Sequence, residues 1–177
     1  DHNRDLAFRQ FKQRFPVMGS AAEASLEEVA DAIRPGGLAA QKAVNIKAIL
    51  GWLKENRREY SLDWLKDLPD GEAVEALTEF KGVGVKTAAV VLVFGFGRDI
   101  FPVDVHVHRI VRRLGLAPEK ASAEKAHYIM QPLVPEGRAL AFHLNLLKLG
   151  RTICRPRSPR CSECPLQRIC DYGGGLS

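Results

Sequence analysis

Apolar positions recur at three and four residues along most of this chain. Phe8, Phe11 and Phe15 follow that spacing, as do Leu26, Val29, Ala30 and Ile33, and the period predicts helices. Ser25 is placed to cap one of them, with Glu28 three residues on completing a capping box. The run "RPGG" (Arg34–Gly37) stops that helix. "AAQKAVNIKAILGWLKEN" reads as a long amphipathic helix. A short helix is expected over Ser61–Leu68 and another over Gly71–Phe80. A glycine-bearing turn then leads into a strongly apolar helix from Lys86 to about Phe94. "GFGRDIFP" reads as a loop. Helices follow over Val105–Leu114, Ala123–Leu133 and Arg138–Gly150. Val90–Phe94 is apolar enough for a buried strand, but no other segment offers it a partner. The pattern predicts an all-α chain of two helical lobes, one over residues 1–98 and one over residues 99–177, without a solenoid repeat. The tail "GGGLS" reads as disordered.

Composition adds little except in where the charge lies. With 177 residues, 46% hydrophobic and 27% charged, the chain has the make-up of a globular protein with room for a real core. No apolar run approaches the ~18 residues of a membrane span, and no signal peptide is visible. The chain opens without methionine, as a fragment would. Residues 1–104 carry 14 basic and 16 acidic side chains, whereas residues 105–177 carry 12 and 5. A basic second half suits a polyanionic partner such as nucleic acid, although a merely basic surface would look the same.

All four cysteines fall near the C-terminus, at Cys154, Cys161, Cys164 and Cys170, spaced C-x6-C-x2-C-x5-C. Four thiolates in one compact loop can hold zinc or an iron–sulfur cluster. Structural zinc sites favour two paired knuckles, and only one C-x2-C pair is present. The uneven spacing favours a 4Fe–4S cluster. Two disulfides are the alternative, and they would belong to an oxidising compartment that nothing else suggests. Arg151, Arg155, Arg157, Arg160 and Arg168 are interspersed with the cysteines, so a cluster-pinned loop would present arginines to phosphates.

The turn "KGVGVKT" (Lys81–Thr87) is not a P-loop, because valine precedes Lys86 and the segment before it is helical. Helix, Gly-Val-Gly, helix is a helix-hairpin-helix. Its glycines let backbone N–H groups approach a phosphate, aided by the N-terminus of the second helix. Val83 and Val85 are expected to anchor the turn in the core.

Three features stand in order: "FKGVGVKTAAVVLVFGFG" (Phe80–Gly97), "FPVDVHVHRIVRRLG" (Phe101–Gly115) and the cysteine run. Together they resemble the endonuclease III branch of the helix-hairpin-helix DNA glycosylases. The resemblance runs from about Arg9 to Cys170. "SLDWLKDLPDGEAVEALTEFKGVGVKT" is also similar to the core of plant 5-methylcytosine glycosylases. The resemblance implies two helical lobes with an active-site cleft between them, a C-terminal 4Fe–4S loop, and duplex DNA with a damaged base or abasic site as partner. It implies a monomer, without a membrane, in the nucleoid or bacterial or archaeal cytoplasm, or in a eukaryotic nucleus. Lys86 matches the family's nucleophilic lysine and Asp104 its aspartate. Gly82 and Gly84 match the hairpin glycines, and the four cysteines match the cluster ligands. Lys81, Val83 and Val85 complete the hairpin's DNA contact, with Arg155 and Arg157 on the cluster loop. Leu38 falls where relatives present a wedge to the gap left by a flipped base. Two positions depart from the pattern. Lys81 replaces the hairpin proline, and Val105 replaces the threonine after the aspartate. The family's first helix and a DNA-inserting glutamine loop would precede residue 1.

The implied activity is a bifunctional glycosylase and AP lyase removing an oxidised pyrimidine in base excision repair. The alternatives are a monofunctional glycosylase for mismatched bases or for 5-methylcytosine or thymine, a non-catalytic DNA-binding module, and an electron-transfer iron–sulfur protein. A lysine amine attacks only when deprotonated, so the lyase reading expects Lys86 at the start of a buried helix. The bland alternatives are a phosphate-neutralising surface lysine at Lys86 and a simple helix cap at Asp104. His106 and His108 read as packing or capping groups, and His143 as a core histidine. Arg109, Arg112 and Arg113 read either as a DNA face or as a solvated one.

Overall fold

The computed structural model describes residues 2–174, and these contain helices and turns but no strand. The expectation of a disordered tail falls largely on residues 175–177, which lie outside the described residues. No helix among the described residues is long and apolar enough to cross a membrane. The chain divides into two units. One runs to Leu68 and includes Thr78–Gly82; the other takes Pro69–Leu77 and everything from Val83 onward. The expected boundary at residue 98 therefore falls inside the second unit.

In the first unit, α2 (Met18–Glu23) and α3 (Leu26–Ala32) pack on the long α4 (Ala39–Arg57), and α1 (His2–Arg14) packs on α3. Phe11, Phe15, Ala21, Val29, Ile33 and Leu50 form the core. Phe8 and Leu26, though in period with them, are exposed, because only one stripe of a surface helix can face inward. The capping box at the start of α3 forms as expected. Ser25 Oγ accepts from the Glu28 N–H, and Glu28 Oε2 accepts from the Ser25 N–H. Helix α2 has no counterpart in the expectation: six residues, four of them small, carry too little periodicity to announce it. The short helix expected over Ser61–Leu68 is a 3-10 turn over Asp63–Asp67. Trp64 in that turn and Phe80 beyond it both pack on Trp52 of α4, with ring centroids 6.0 and 5.1 Å away.

In the second unit, α5 (Asp70–Thr78, whose last residue belongs to the first unit) precedes the hairpin, and α6 (Val85–Phe96) follows it. Helix α6 runs two residues past Phe94 and stops where the left-handed Gly97 turns its N–H back to Leu92 and Val93. Then come α7 (Val105–Arg113), α8 (Ala123–Met130) and α9 (Ala139–Thr152). The helix expected to reach Leu133 ends at Met130, because Pro132 turns Gln131–Leu133 into a 3-10 segment. Phe101, Val103, Val107, Ile110, Val111, Met130 and Leu146 form this unit's core. Helices α7 and α9 pack closely at Gly150, where a Cβ would lie 2.8 Å from that of His106.

Candidate active site

The hairpin is shaped by one obligatory glycine. Gly82 has φ +87°, and a Cβ there would fall 2.0 Å from Asn45 Nδ2, so both backbone and space demand glycine. Gly84 is extended and caps α6, its carbonyl accepting from Thr87 and Ala88. No backbone acceptor among the described residues takes the N–H of Val83, Gly84, Val85 or Lys86. Val83 and Val85 are only half-buried, so they anchor the turn less fully than expected.

Lys86 lies in the first turn of α6 as expected, but its own side chain is exposed, so the fold by itself does not bury the amine. Helix α6 does bury Ala88, Ala89, Leu92 and Val93 further along. Among the described residues the Lys86 amine takes part in no side-chain hydrogen bond or ion pair. Lys81 is exposed as well.

Asp104, in the same unit as Lys86, is the N-cap of α7. Its Oδ1 accepts from the N–H groups of His106 (2.9 Å) and Val107 (2.8 Å). Its Oδ2 is not used by any described residue. The capping role and a chemical role are thus divided between the two oxygens of one carboxylate. The approach to Asp104 is buried: Ile100, Phe101 and Val103 are at most 3% exposed. Val105, in the place of the family's threonine, points to solvent.

Two of the three arginines of α7 are turned to the cysteine loop and not to an outer DNA face. Arg109 donates to the carbonyls of Cys154 (3.0 Å from Nε) and Gly150 (2.9 Å). Arg113 donates to the carbonyls of Arg155 (2.8 Å) and Pro156 (3.1 Å) and stacks on Tyr172. Both are struts for the cysteine loop. Arg109 also points an N–H at His106 Nδ1, 3.3 Å away, which leaves that ring's proton on Nε2 because a guanidinium only donates. His108 bonds the Ala121 carbonyl, and His143 is buried as expected.

The four cysteines form no disulfide with one another and line one small cavity with Arg113, Arg160, Gln167 and Tyr172. Arg113 Nη1 lies 3.3 Å from Cys154 Sγ, a donor suited to a thiolate. These residues fit an iron–sulfur cluster. Arg155 and Arg157 stand exposed on the loop beside Arg151 and His106, which line one surface recess with them. In the first unit, Leu38 has φ 53° and is 79% exposed just before α4, a bulky residue held in left-handed backbone and displayed to solvent.

Sequence reasoning missed a set of side chains around the residues before Asp104. His127 Nδ1 lies 2.8 Å from the Phe101 carbonyl and His143 Nδ1 2.9 Å from that of Pro102. Gln131 accepts from the Phe101 N–H (2.8 Å) and donates to the Asp99 carbonyl (3.0 Å). Burial pushes the His127 imidazole below the usual histidine range, against the upward pull of the Phe101 carbonyl and Glu124.

Residues 4–136 match the family described as HhH-GPD superfamily base excision DNA repair proteins, and residues 154–170 match the iron–sulfur binding domain of endonuclease III. The chain belongs to the HhH-GPD superfamily, and its cofactor is a 4Fe–4S cluster. It is 34% identical over 177 residues to an Arabidopsis thaliana protein provisionally named a DNA glycosylase, covering 94% of this chain and 60% of that protein. It is 32% identical over 172 residues to endonuclease III of Thermotoga maritima, covering 97% of this chain and 76% of that one. A solved endonuclease III–DNA non-covalent complex superposes with a TM-score of 0.80 at 28% identity, covering 94% of this chain and 74% of that one.

Proposed function

We propose that this chain is the catalytic core of a DNA glycosylase with AP lyase activity, acting on duplex DNA in base excision repair. Lys86 is the nucleophile. The observation that carries the reading is its exposed amine, without an ionic partner among the described residues, in the first turn of the helix that follows the glycine hairpin. Backbone N–H groups of Val83–Lys86 are available to a phosphate, and Lys81 adds a positive charge beside them.

A base in a duplex must first be extruded, at a cost of a few kcal/mol that is smallest for a damaged or mispaired base. Leu38, whose left-handed backbone displays its side chain, is the wedge that fills the gap. The Lys86 amine attacks C1′. The C1′–N bond breaks, and its electron pair leaves with the base, which takes up a proton. The sugar ring opens to a Schiff base, a 2′ proton is removed, and the C3′–O bond breaks with its electron pair leaving on the phosphate. Water then releases the lysine. The free oxygen of Asp104 stabilises positive charge on the sugar or takes the amine proton, while Oδ1 holds the cap. Because Lys86 is exposed in the free protein, bound DNA supplies the desolvation that a neutral amine requires.

Cys154, Cys161, Cys164 and Cys170 hold the cluster, which when bound pins the loop and supplies no bond-making step. Arg155 and Arg157 on that loop contact backbone phosphates. The protein acts as a monomer, in a nucleoid or nucleus, and the branch it resembles makes an oxidised pyrimidine the substrate base. A panel of duplexes, each with a single lesion, tests that substrate: preferential cutting at mismatched thymine or 5-methylcytosine replaces it. Strand cutting at an abasic site by the wild-type chain, lost in Lys86→Gln, is the expected result for the lyase. A wild-type chain that releases a base yet leaves the strand intact contradicts the lyase step.

A further inference from the structure

The four residues that lead into Asp104, 100–103, are buried and lie in no helix, and such a stretch cannot satisfy its own backbone groups. Three helical side chains from outside it do so. His127 and His143 face consecutive carbonyls, those of Phe101 and Pro102, at 2.8 and 2.9 Å. A carbonyl only accepts, so each ring carries its proton on Nδ1 and donates. Gln131 grips both sides of the peptide chain, accepting from the Phe101 N–H and donating to the Asp99 carbonyl. Both histidines are at most 5% exposed, and neither takes part in the proposed chemistry.

We propose that His127, Gln131 and His143 are positioning residues for Asp104. They fix the depth and register of Asp99–Val103 so that the Asp104 carboxylate arrives at the head of α7 with one oxygen on the cap and the other free. The inference rests on the reading of Asp104 as the group that acts on the sugar. The Pro102 carbonyl is two residues from Asp104, so a shift there passes to the carboxylate with little to absorb it. Core packing alone would be met by any apolar side chain of similar size, whereas the cradle needs donors at these atoms.

The test is single-turnover cutting of an abasic-site duplex, with affinity measured separately on a duplex carrying an uncleavable reduced abasic analogue. His143→Leu removes the donor, and His143→Asn keeps an N–H near the Nδ1 position. A misplacement of the order of 1 Å costs on the order of 100-fold in rate, so His143→Leu is expected to cut about 10- to 100-fold more slowly with affinity within about threefold, and His143→Asn to recover most of the rate. Gln131→Leu repeats the loss on a less buried side chain, should His143→Leu not fold. A wild-type rate in His143→Leu or Gln131→Leu overturns the inference and leaves the lyase reading intact. So does an Asn variant as slow as the Leu one, or a rate that falls only in step with affinity. A wild-type chain that cuts nothing overturns the lyase reading and this inference with it.

Discussion

The hairpin around Lys86 and the stretch before Asp104 are held in opposite ways. The hairpin is largely exposed, has one backbone position at φ +87° that calls for glycine, and offers N–H groups and lysine amines that have no partners among the described residues. The segment from Asp99 to Asp104 is buried over residues 100–103 and held by side-chain hydrogen bonds from α8, the turn after it and α9. The proposed nucleophile is therefore left open for its substrate to complete, while the proposed carboxylate is fixed in advance. Pre-organisation has been placed where charge must be met by fixed groups, and openness where a bulky duplex must dock.

The strongest attempt to break this comparison is Lys86→Gln. Removing the nucleophile is expected to lower strand cutting by about 10³-fold or more, while an exposed substitution moves stability by no more than about 0.5 kcal/mol. Loss of stability comparable to the loss of activity would place Lys86 in the core of the fold instead. The next test separates the two oxygens of Asp104. Asparagine still caps a helix, so Asp104→Asn is expected to keep its melting temperature and lose about 10²- to 10³-fold in rate. Asp104→Ala is expected to lose a further ~1 kcal/mol of stability with the cap.

Gly82→Ala sharpens the hairpin side. The new methyl meets Asn45 and sits at positive φ, which is expected to cost about 1–3 kcal/mol of stability. Its functional loss is expected in DNA affinity measured by titration, more than in the rate once DNA is bound. A smaller effect belongs to Leu38. Its left-handed backbone costs roughly 1 kcal/mol for an L residue, so Leu38→Gly is expected to slow base release while leaving stability equal or slightly raised.

The last prediction concerns acid. His127 has a folded-state pKa lowered from 6.5, mainly by burial. The unfolded chain therefore takes up a proton first as pH falls. No stability is lost above about pH 6.5, and loss grows below it until the folded-state value is passed. Glu28, lowered from 4.5 chiefly by the Ser25 backbone N–H, acts in the same direction only below about pH 4.5, so the windows separate. Denaturant midpoints between pH 7.5 and 5.5 are expected to fall in the wild type and less in His127→Asn. Equal slopes would remove His127 as the cause.

Much of the fold was legible because it is local. The length of α4, the capping box at Ser25 and the start of α7 at Asp104 all follow from residues within one turn of each other. The candidate pair Lys86 and Asp104 was legible because a known family repeats that spacing. Phe8 shows the limit of periodicity, which marks the stripe but not its edge. The cradle was invisible for another reason: His127 meets Phe101 and His143 meets Pro102 across 26 and 41 residues, and no short motif joins them. Arg109 and Arg113 misled in the same way. On α7 they look like a charged outer face, and only the folded chain shows that the Cys154 and Arg155 carbonyls wait for them.

The central claim is that Lys86, and not its neighbour Lys81 on the same hairpin, bonds to the sugar. Borohydride reduction of the wild-type chain mixed with an abasic duplex, followed by peptide mapping of the covalent product, tests it directly. The predicted result is one DNA-linked peptide with the modification on Lys86. A modification on Lys81, or no covalent product under conditions where the strand is cut, would contradict it.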